Sequence, residues 1–234
     1  PYERVQGCLT WLVTATCPHY AEPVSKTSRH SSNWRKIHKM AQQRICRYMA
    51  TDLDTKLVYR KQVNKNKQSP VVMMADASFA VEGGMSHTGV LAFLYGNLVM
   101  WISTRQRHVT TTIQHAETNA AHEGACEAVW QRRLAADLGV TDQGPTKMWL
   151  DNKGLIASTN ATPRHATNKH FSVKLLYKNE LVKDKKLMVG FLESTRMTAD
   201  AMTKSLPDQD ASYLSPSPKT LTYLRFKMTK MLTT

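Results

Sequence analysis

Four acidic residues stand where backbone elements are expected to begin or end: Asp76 in "VVMMADASFA", Glu117 in "HAETNAA", Asp151 in "WLDNKG" and Asp200 in "MTADAMTK". A carboxylate at the close of an apolar run is costly in a core unless something compensates it. Carboxylates converging from several elements repel one another. A hard divalent cation resolves that repulsion, since Mg²⁺ takes oxygen ligands, usually a few carboxylates together with substrate phosphate. Two such ions, about 3.5–4 Å apart, stabilise both the attacking and the leaving oxygen of an in-line phosphoryl displacement. The chemistry these residue types point to is therefore metal-assisted phosphodiester cleavage. Each acid also has a local reading that needs no metal. Asp76 can form a turn, Glu117 can favour a helix N-terminus, and Asp151 and Asp200 can cap helices. Spacing alone leaves both readings open.

The elements that must carry these acids follow from patterning. From residue 71 onward, "VVMMADASF", "TGVLAFLY" and "LVMWIST" are short β-type runs, with Gly96-Asn97 between the second and third as a hairpin signal. A long helix follows, with caps offered by Thr110–Thr112, Ala and Leu recurring from 116 to 138, and Gly139 as its stop. "TKMWLD" is a fourth strand, "NKGLIAST" a short helix, "NKHFSVKLLYKNELVKDK" a basic amphipathic helix, "KLMVGFLE" a fifth strand and "TADAMTKSL" the start of a last helix. Three meandering strands followed by alternating strands and helices give an α/β fold, a five-stranded mixed sheet flanked by helices. Asp76 is expected to end the first strand and Asp151 the fourth, with Glu117 in the first turn of the long helix.

Residues 1–58 read as a separate helical segment. "SNWRKIHKMAQQRICRYMA" places Trp34, Ile37, Met40, Ile45, Tyr48 and Met49 along one face, and Arg35, Lys36, Lys39, Arg44 and Arg47 along the other. Residues 59–70 form a polar linker, 71–206 the sheet-bearing domain and 207–234 a C-terminal tail. The net charge of +14 points to a polyanionic partner such as nucleic acid. That charge is unevenly spread: residues 1–70 hold 13 Lys or Arg against 4 acids, while 71–205 hold 15 against 12. Four cysteines without CxxC or metal spacing suggest a reducing compartment. No apolar run reaches the roughly 20 residues of a membrane helix, and no membrane partner is expected.

With these residues in view, the sequence resembles the ribonuclease H domain of copia-type retrotransposon polyproteins. The likeness runs through "ADASFA", "TGVLAFLYGNLVMWISTRQ", "HAETNAAHEGACEAVWQRRLAADLG", "MWLDNKGLIASTN", "TNKHF" and "TADAMTKSLP", in the family's order. Upstream, residues 1–59 resemble the segment joining the reverse-transcriptase thumb to that domain. The resemblance implies a ribonuclease H-like fold and cleavage of the RNA strand of RNA–DNA hybrids with two Mg²⁺ ions, or Mn²⁺. The family's four acids map onto Asp76, Glu117, Asp151 and Asp200, which would hold the metals. Selection for RNA would rest on its 2′-hydroxyls and the minor-groove shape of the hybrid. The surroundings depart from the family pattern in places. "QHAETNA" stands where Ser-Thr-Glu-Ala-Glu-Tyr is usual, and "ESTRM" lacks the histidine of many cellular ribonucleases H. The expected setting is a cytoplasmic retroelement particle or the nucleus; an organelle stays open because the chain starts at Pro1.

Further residues are candidates for binding. Lys174, Lys178 and Lys183 on the basic helix, and Arg105 and Arg107 after the third strand, could meet phosphates of the hybrid. A solvated face explains them equally well. His170 fits a family position, with packing favoured over chemistry. His122 and Cys126 stand at i, i+4 but lack further zinc ligands. Gly124 suits a close helix–sheet approach. The competing function is non-catalytic: a retroelement-derived RNA-binding or structural subunit of a larger ribonucleoprotein such as a ribosome. In the enzymatic reading, the partner beyond the hybrid is a polymerase domain.

Overall fold

Two tight turns build the antiparallel half of the sheet. β1 (Val71–Glu82) turns through Gly83 and Gly84 into β2 (Met85–Leu94), and β2 turns through Tyr95 and Gly96 into β3 (Asn97–Arg105). All four turn residues have positive φ, at 60°, 75°, 49° and 74° in chain order. Two consecutive positive values give the mirror-image turn whose twist matches that of the flanking strands. The second hairpin is the one expected from Gly96-Asn97, displaced by one residue because Asn97 already pairs with Leu94. The first is carried by "EGGM", a turn signal not among the expectations above.

This is a computed structural model, and it describes residues 1–51, 53, 56–61, 69–140, 144–159 and 169–204. The tail expected over 207–234 and positions 62–68 of the linker lie outside the described residues. After β3 the chain enters α4 (Ile113–Asp137), capped by Thr112, whose hydroxyl accepts from the His115 amide at 3.2 Å. Gly139, at φ 77°, follows its last turn. β4 (Thr146–Leu150), α5 (Lys153–Ala157), α6 (Lys169–Lys183) and β5 (Leu187–Phe191) complete the sheet, in the order β3-β2-β1-β4-β5. β1 pairs antiparallel with β2 and parallel with β4, and β4 is parallel to β5. This is the expected five-stranded mixed sheet with helices. Where a last helix is expected, the chain forms a 3₁₀ turn at Thr198–Met202 instead.

The core forms where α4 lies on the sheet. Its buried face is almost all small: Ala116, Ala120, Ala121, Gly124, Ala125, Ala128 and Ala135. Those residues meet Met73, Ala75, Val90, Ala92, Met148 and Leu150. Burying each of the larger side chains contributes roughly 1.5–3 kcal/mol relative to exposure. A Cβ at Gly124 would sit 3.4 Å from both the Ala75 Cβ and the Met148 Sδ, so a small residue there sets the helix–sheet distance.

The chain divides into two compact units, Pro1–Val58 with 201–204 among the described residues, and Tyr59–Asp200. In the first, α1 (Tyr2–Ala15), α2 (Ala21–Ser28) and α3 (Lys36–Thr51) bury Leu9, Val13, Val24, Ala41 and Ile45. Buried polar groups are satisfied across helices: Tyr2 Oη donates to the Thr27 carbonyl at 2.7 Å, and Gln42 Nε2 to Gln6 Oε1 at 3.1 Å. Buried Glu22 pairs with Lys26. No helix among the described residues is long and apolar enough to cross a membrane.

Candidate metal centre

Parallel pairing between β1 and β4 sets the first two acids side by side. The register pairs Met74 with Trp149. Asp76 and Asp151 each lie two residues beyond that pair, so they leave the sheet at the same level. Contrary to expectation, Asp76 does not end its strand. β1 continues to Glu82, with Asp76 opposite Gly89 of β2. What ends near Asp76 is the pairing with β4, and that opens space beside its carboxylate. Asp76 is 1% exposed.

Glu117 reaches the same place from α4. It is the fifth residue of that helix, which has no acid in its first turn. It therefore sits one turn later than expected, because the helix starts at Ile113. Favourable interaction with the helix N-terminus is strongest in the first turn, so that explanation of Glu117 weakens. It is 6% exposed. One carboxylate oxygen from each of Asp76, Glu117 and Asp151 lies within 4.8 Å of the others. Three hard oxygen donors at that separation suit a divalent cation such as Mg²⁺ or Mn²⁺. Without one, bringing three carboxylates together costs electrostatic energy in surroundings where water is partly excluded.

The other acids and their neighbours have distinct places. Asp200 is buried in the 3₁₀ turn Thr198–Met202 and is not in the 4.8 Å set. The cap of α5 is Asn152, whose Oδ1 accepts from the Leu155 amide at 3.0 Å, so Asp151 does not serve as that cap. Asp151 instead accepts on Oδ2 from the Ser194 hydroxyl at 3.0 Å. Ser194 belongs to "ESTRM", the stretch without the expected histidine. Nothing in its sequence marks it, because its role comes from β5 ending beside β4.

A polar chain also adjoins Glu117. Gln106, just beyond β3, donates from Nε2 to the Ala116 carbonyl at 2.9 Å and to Thr88 Oγ1 at 3.0 Å. It accepts on Oε1 from Asn119 Nδ2 at 2.9 Å, and Lys174 Nζ donates to Asn119 Oδ1 at 2.7 Å. Sequence reasoning misses Gln106, since a lone glutamine after a strand carries no pattern.

The candidate cations behave differently from one another. Arg105, Arg107 and Lys183 are exposed. Lys174 is half-buried and occupied by Asn119. Lys178 corrects the expectation of a phosphate contact: it is 2% exposed and donates to the Leu155 carbonyl at 3.3 Å. Helical periodicity turns it inward, toward α5. Burial pushes its ammonium down to about 8. The side chain of His170 lies outside the described residues. His122 and Cys126 approach to 3.7 Å between Nε2 and Sγ, with Tyr177 edge-on to the imidazole, and no third ligand joins them among the described residues. Burial, and next the Lys174 charge, lower the His122 pKa.

No family model matches the chain. It is 28% identical over 210 residues to the retrovirus-related Pol polyprotein from transposon TNT 1-94 of Nicotiana tabacum, a match covering 88% of this chain and 15% of that polyprotein. It is 31% identical over 132 residues to secreted RxLR effector protein 161 of Plasmopara viticola, covering 56% of this chain and 90% of that protein. Among solved structures, the N-terminal ribonuclease H domain of a Mycobacterium tuberculosis protein aligns at 15% identity with a TM-score of 0.43, over 58% of this chain and 91% of that one. The chain thus spans about 15% of the length of the tobacco polyprotein.

Proposed function

We propose, from the similarity of this chain to retrovirus-related Pol polyproteins of copia-type transposons, that it is a metal-dependent endonuclease cutting the RNA strand of RNA–DNA hybrids. The observation that carries the reading is the convergence of Asp76, Glu117 and Asp151 oxygens within 4.8 Å. Bound divalent cations would supply charge neutralisation at the scissile phosphate and activation of water. In this reading Asp76, Glu117 and Asp151 would hold the first cation, and Asp200, which lies outside that set, would serve a second.

The chain's own residues prepare that site. Asp76 and Asp151 are fixed in height by the β1–β4 register, and Glu117 by the helix beginning at Ile113. Ser194 donates to Asp151 Oδ2 and so helps to orient the carboxylate that would hold the cation. The exposed Arg105 and Arg107 offer positive charge to the phosphates of a duplex. RNA is distinguished from DNA by 2′-hydroxyl contacts along the minor groove. In this reading a polymerase segment would be the neighbour of the helical first unit.

The test is a gel assay on an end-labelled hybrid. The full chain should cut the RNA strand with Mg²⁺ or Mn²⁺, and Asp76→Asn should fall to the level seen with a chelator present. Tight binding of the hybrid without any cutting would overturn the enzymatic reading in favour of a purely structural role.

A further inference from the structure

We propose that Gln106 and Asn119, oriented by Lys174, are positioning residues that keep Glu117 within reach of Asp76 and Asp151, so that α6 contributes to metal affinity. The inference rests on the metal-centre reading above and concerns residues that do not themselves touch the cation.

The direction of every hydrogen bond in the chain is fixed by chemistry at its two ends. A lysine ammonium only donates. Its bond to Asn119 at 2.7 Å therefore requires the amide oxygen to face α6 and the Asn119 NH₂ to face Gln106. That NH₂ donates to Gln106 Oε1 at 2.9 Å, which turns the Gln106 NH₂ toward α4 and β2. There its two hydrogens meet groups able to accept them, the Ala116 carbonyl and the Thr88 hydroxyl. A backbone carbonyl only accepts, so the far end demands the same orientation as the near end. Neither amide can flip without breaking a bond at each side.

The bonds flank Glu117 closely. Ala116 is the residue before it and Asn119 lies two residues after. Gln106 is itself held to the sheet by its amide, which donates to the Ser86 carbonyl at 2.8 Å, and it is 8% exposed. Beside the apolar packing of Ala116, Ala120 and Ala121, the clamp adds a polar tie from β2 to the Ala116 carbonyl, at the level where Glu117 departs. Supporting groups of this kind typically change metal affinity about 10- to 100-fold when removed.

Mn²⁺ alone, titrated into the full chain without substrate, reads the effect through its dissociation constant. Gln106→Glu keeps the shape but replaces the two donated hydrogens by an acceptor, and it should weaken Mn²⁺ binding by about tenfold or more. Because Gln106 is buried, Lys174→Met provides a second variant at a half-buried position. Removing a positive charge near a cation site by itself tightens binding. Weaker Mn²⁺ binding in Lys174→Met, restored in Lys174→Arg, is thus the expected result and one that charge alone does not produce. Unchanged or tighter binding in Lys174→Met would overturn the positioning role. Absence of Mn²⁺ binding by the unsubstituted chain, equal to that of Asp76→Asn, would remove the metal-centre reading itself and this inference with it.

Discussion

Lys178 shows how one residue can oppose the fold that contains it. Its ammonium is buried, and among the described residues its hydrogen bond goes to the Leu155 carbonyl. That carbonyl also accepts from Ser158 Oγ at 2.7 Å and Thr159 Oγ1 at 3.2 Å, so it does not depend on the lysine. The folded-state value of about 8 against an ordinary 10.5 measures the penalty on the charged form. At about 1.36 kcal/mol for each pH unit, that is roughly 3 kcal/mol. The sign follows from proton binding. Below pH 8 the lysine is charged in both states and the full penalty applies. Between about 8 and 10.5 the unfolded chain binds a proton that the folded chain does not, so stability rises with pH. Lys178→Met should therefore stabilise the protein at about pH 7 by up to about 3 kcal/mol in urea unfolding, with the gain shrinking as pH approaches 10.5. A destabilised variant at that pH would show that this cation has compensation outside the described residues.

At the scale of elements, the position of Asp151 depends on how β4 packs against β5. The two strands pair Trp149 with Gly190. A Cβ built on Gly190 would lie 2.6 Å from Trp149 Cζ3 and 2.8 Å from Cε3, so the indole occupies the space that any side chain would need. The alternation of β5 does not announce this. A glycine inside a strand only suggests a close approach, and the partner is 41 positions away along the chain. Gly190→Ala should cost about 1–3 kcal/mol through forced displacement of the ring. Adding Trp149→Leu should recover part of that loss, which a double-mutant cycle of thermal or urea unfolding would reveal as coupling. Additive effects would mean the ring moves aside freely.

Across the whole molecule, charge and chemistry are divided between the two units. α3 contains no acidic residue, and Lys36, Lys39 and Arg47 on it are exposed. Lys36 and Lys39 stand near the N-terminal end of that helix, where cations are disfavoured by the helix dipole. Their charge therefore brings α3 no local stability. Contact with a polyanion gives it a use. Changing Lys36, Lys39 and Arg47 together to Gln should lower affinity for a hybrid duplex. It should also reduce the slope of log affinity against log salt, by about 0.9 for each phosphate that the chain no longer neutralises. A slope equal to that of the unsubstituted chain would show that the duplex does not use this face. Mg²⁺-dependent cutting at saturating hybrid should persist, since the three clustered acids lie in the other unit.

Element order, the mixed sheet and the identity of the acids are legible in the chain of residues alone, because hydrophobic period, turn residues and family likeness are all written locally. Asp76, Glu117 and Asp151 stand out as candidates in that way, and the fold then brings the three within reach of one cation. Packing in three dimensions was needed to show that Asp76 lies inside a strand, that Lys178 faces inward, that Ser194 meets Asp151 and that Gln106 lies against the turn bearing Glu117. Each of these depends on strand register or helix rotation, in which a shift of one residue turns a side chain to another face. Ser194 and Asp151 are 43 positions apart, and Lys178 and Leu155 are 23 apart, so no local pattern of residue types records their meeting.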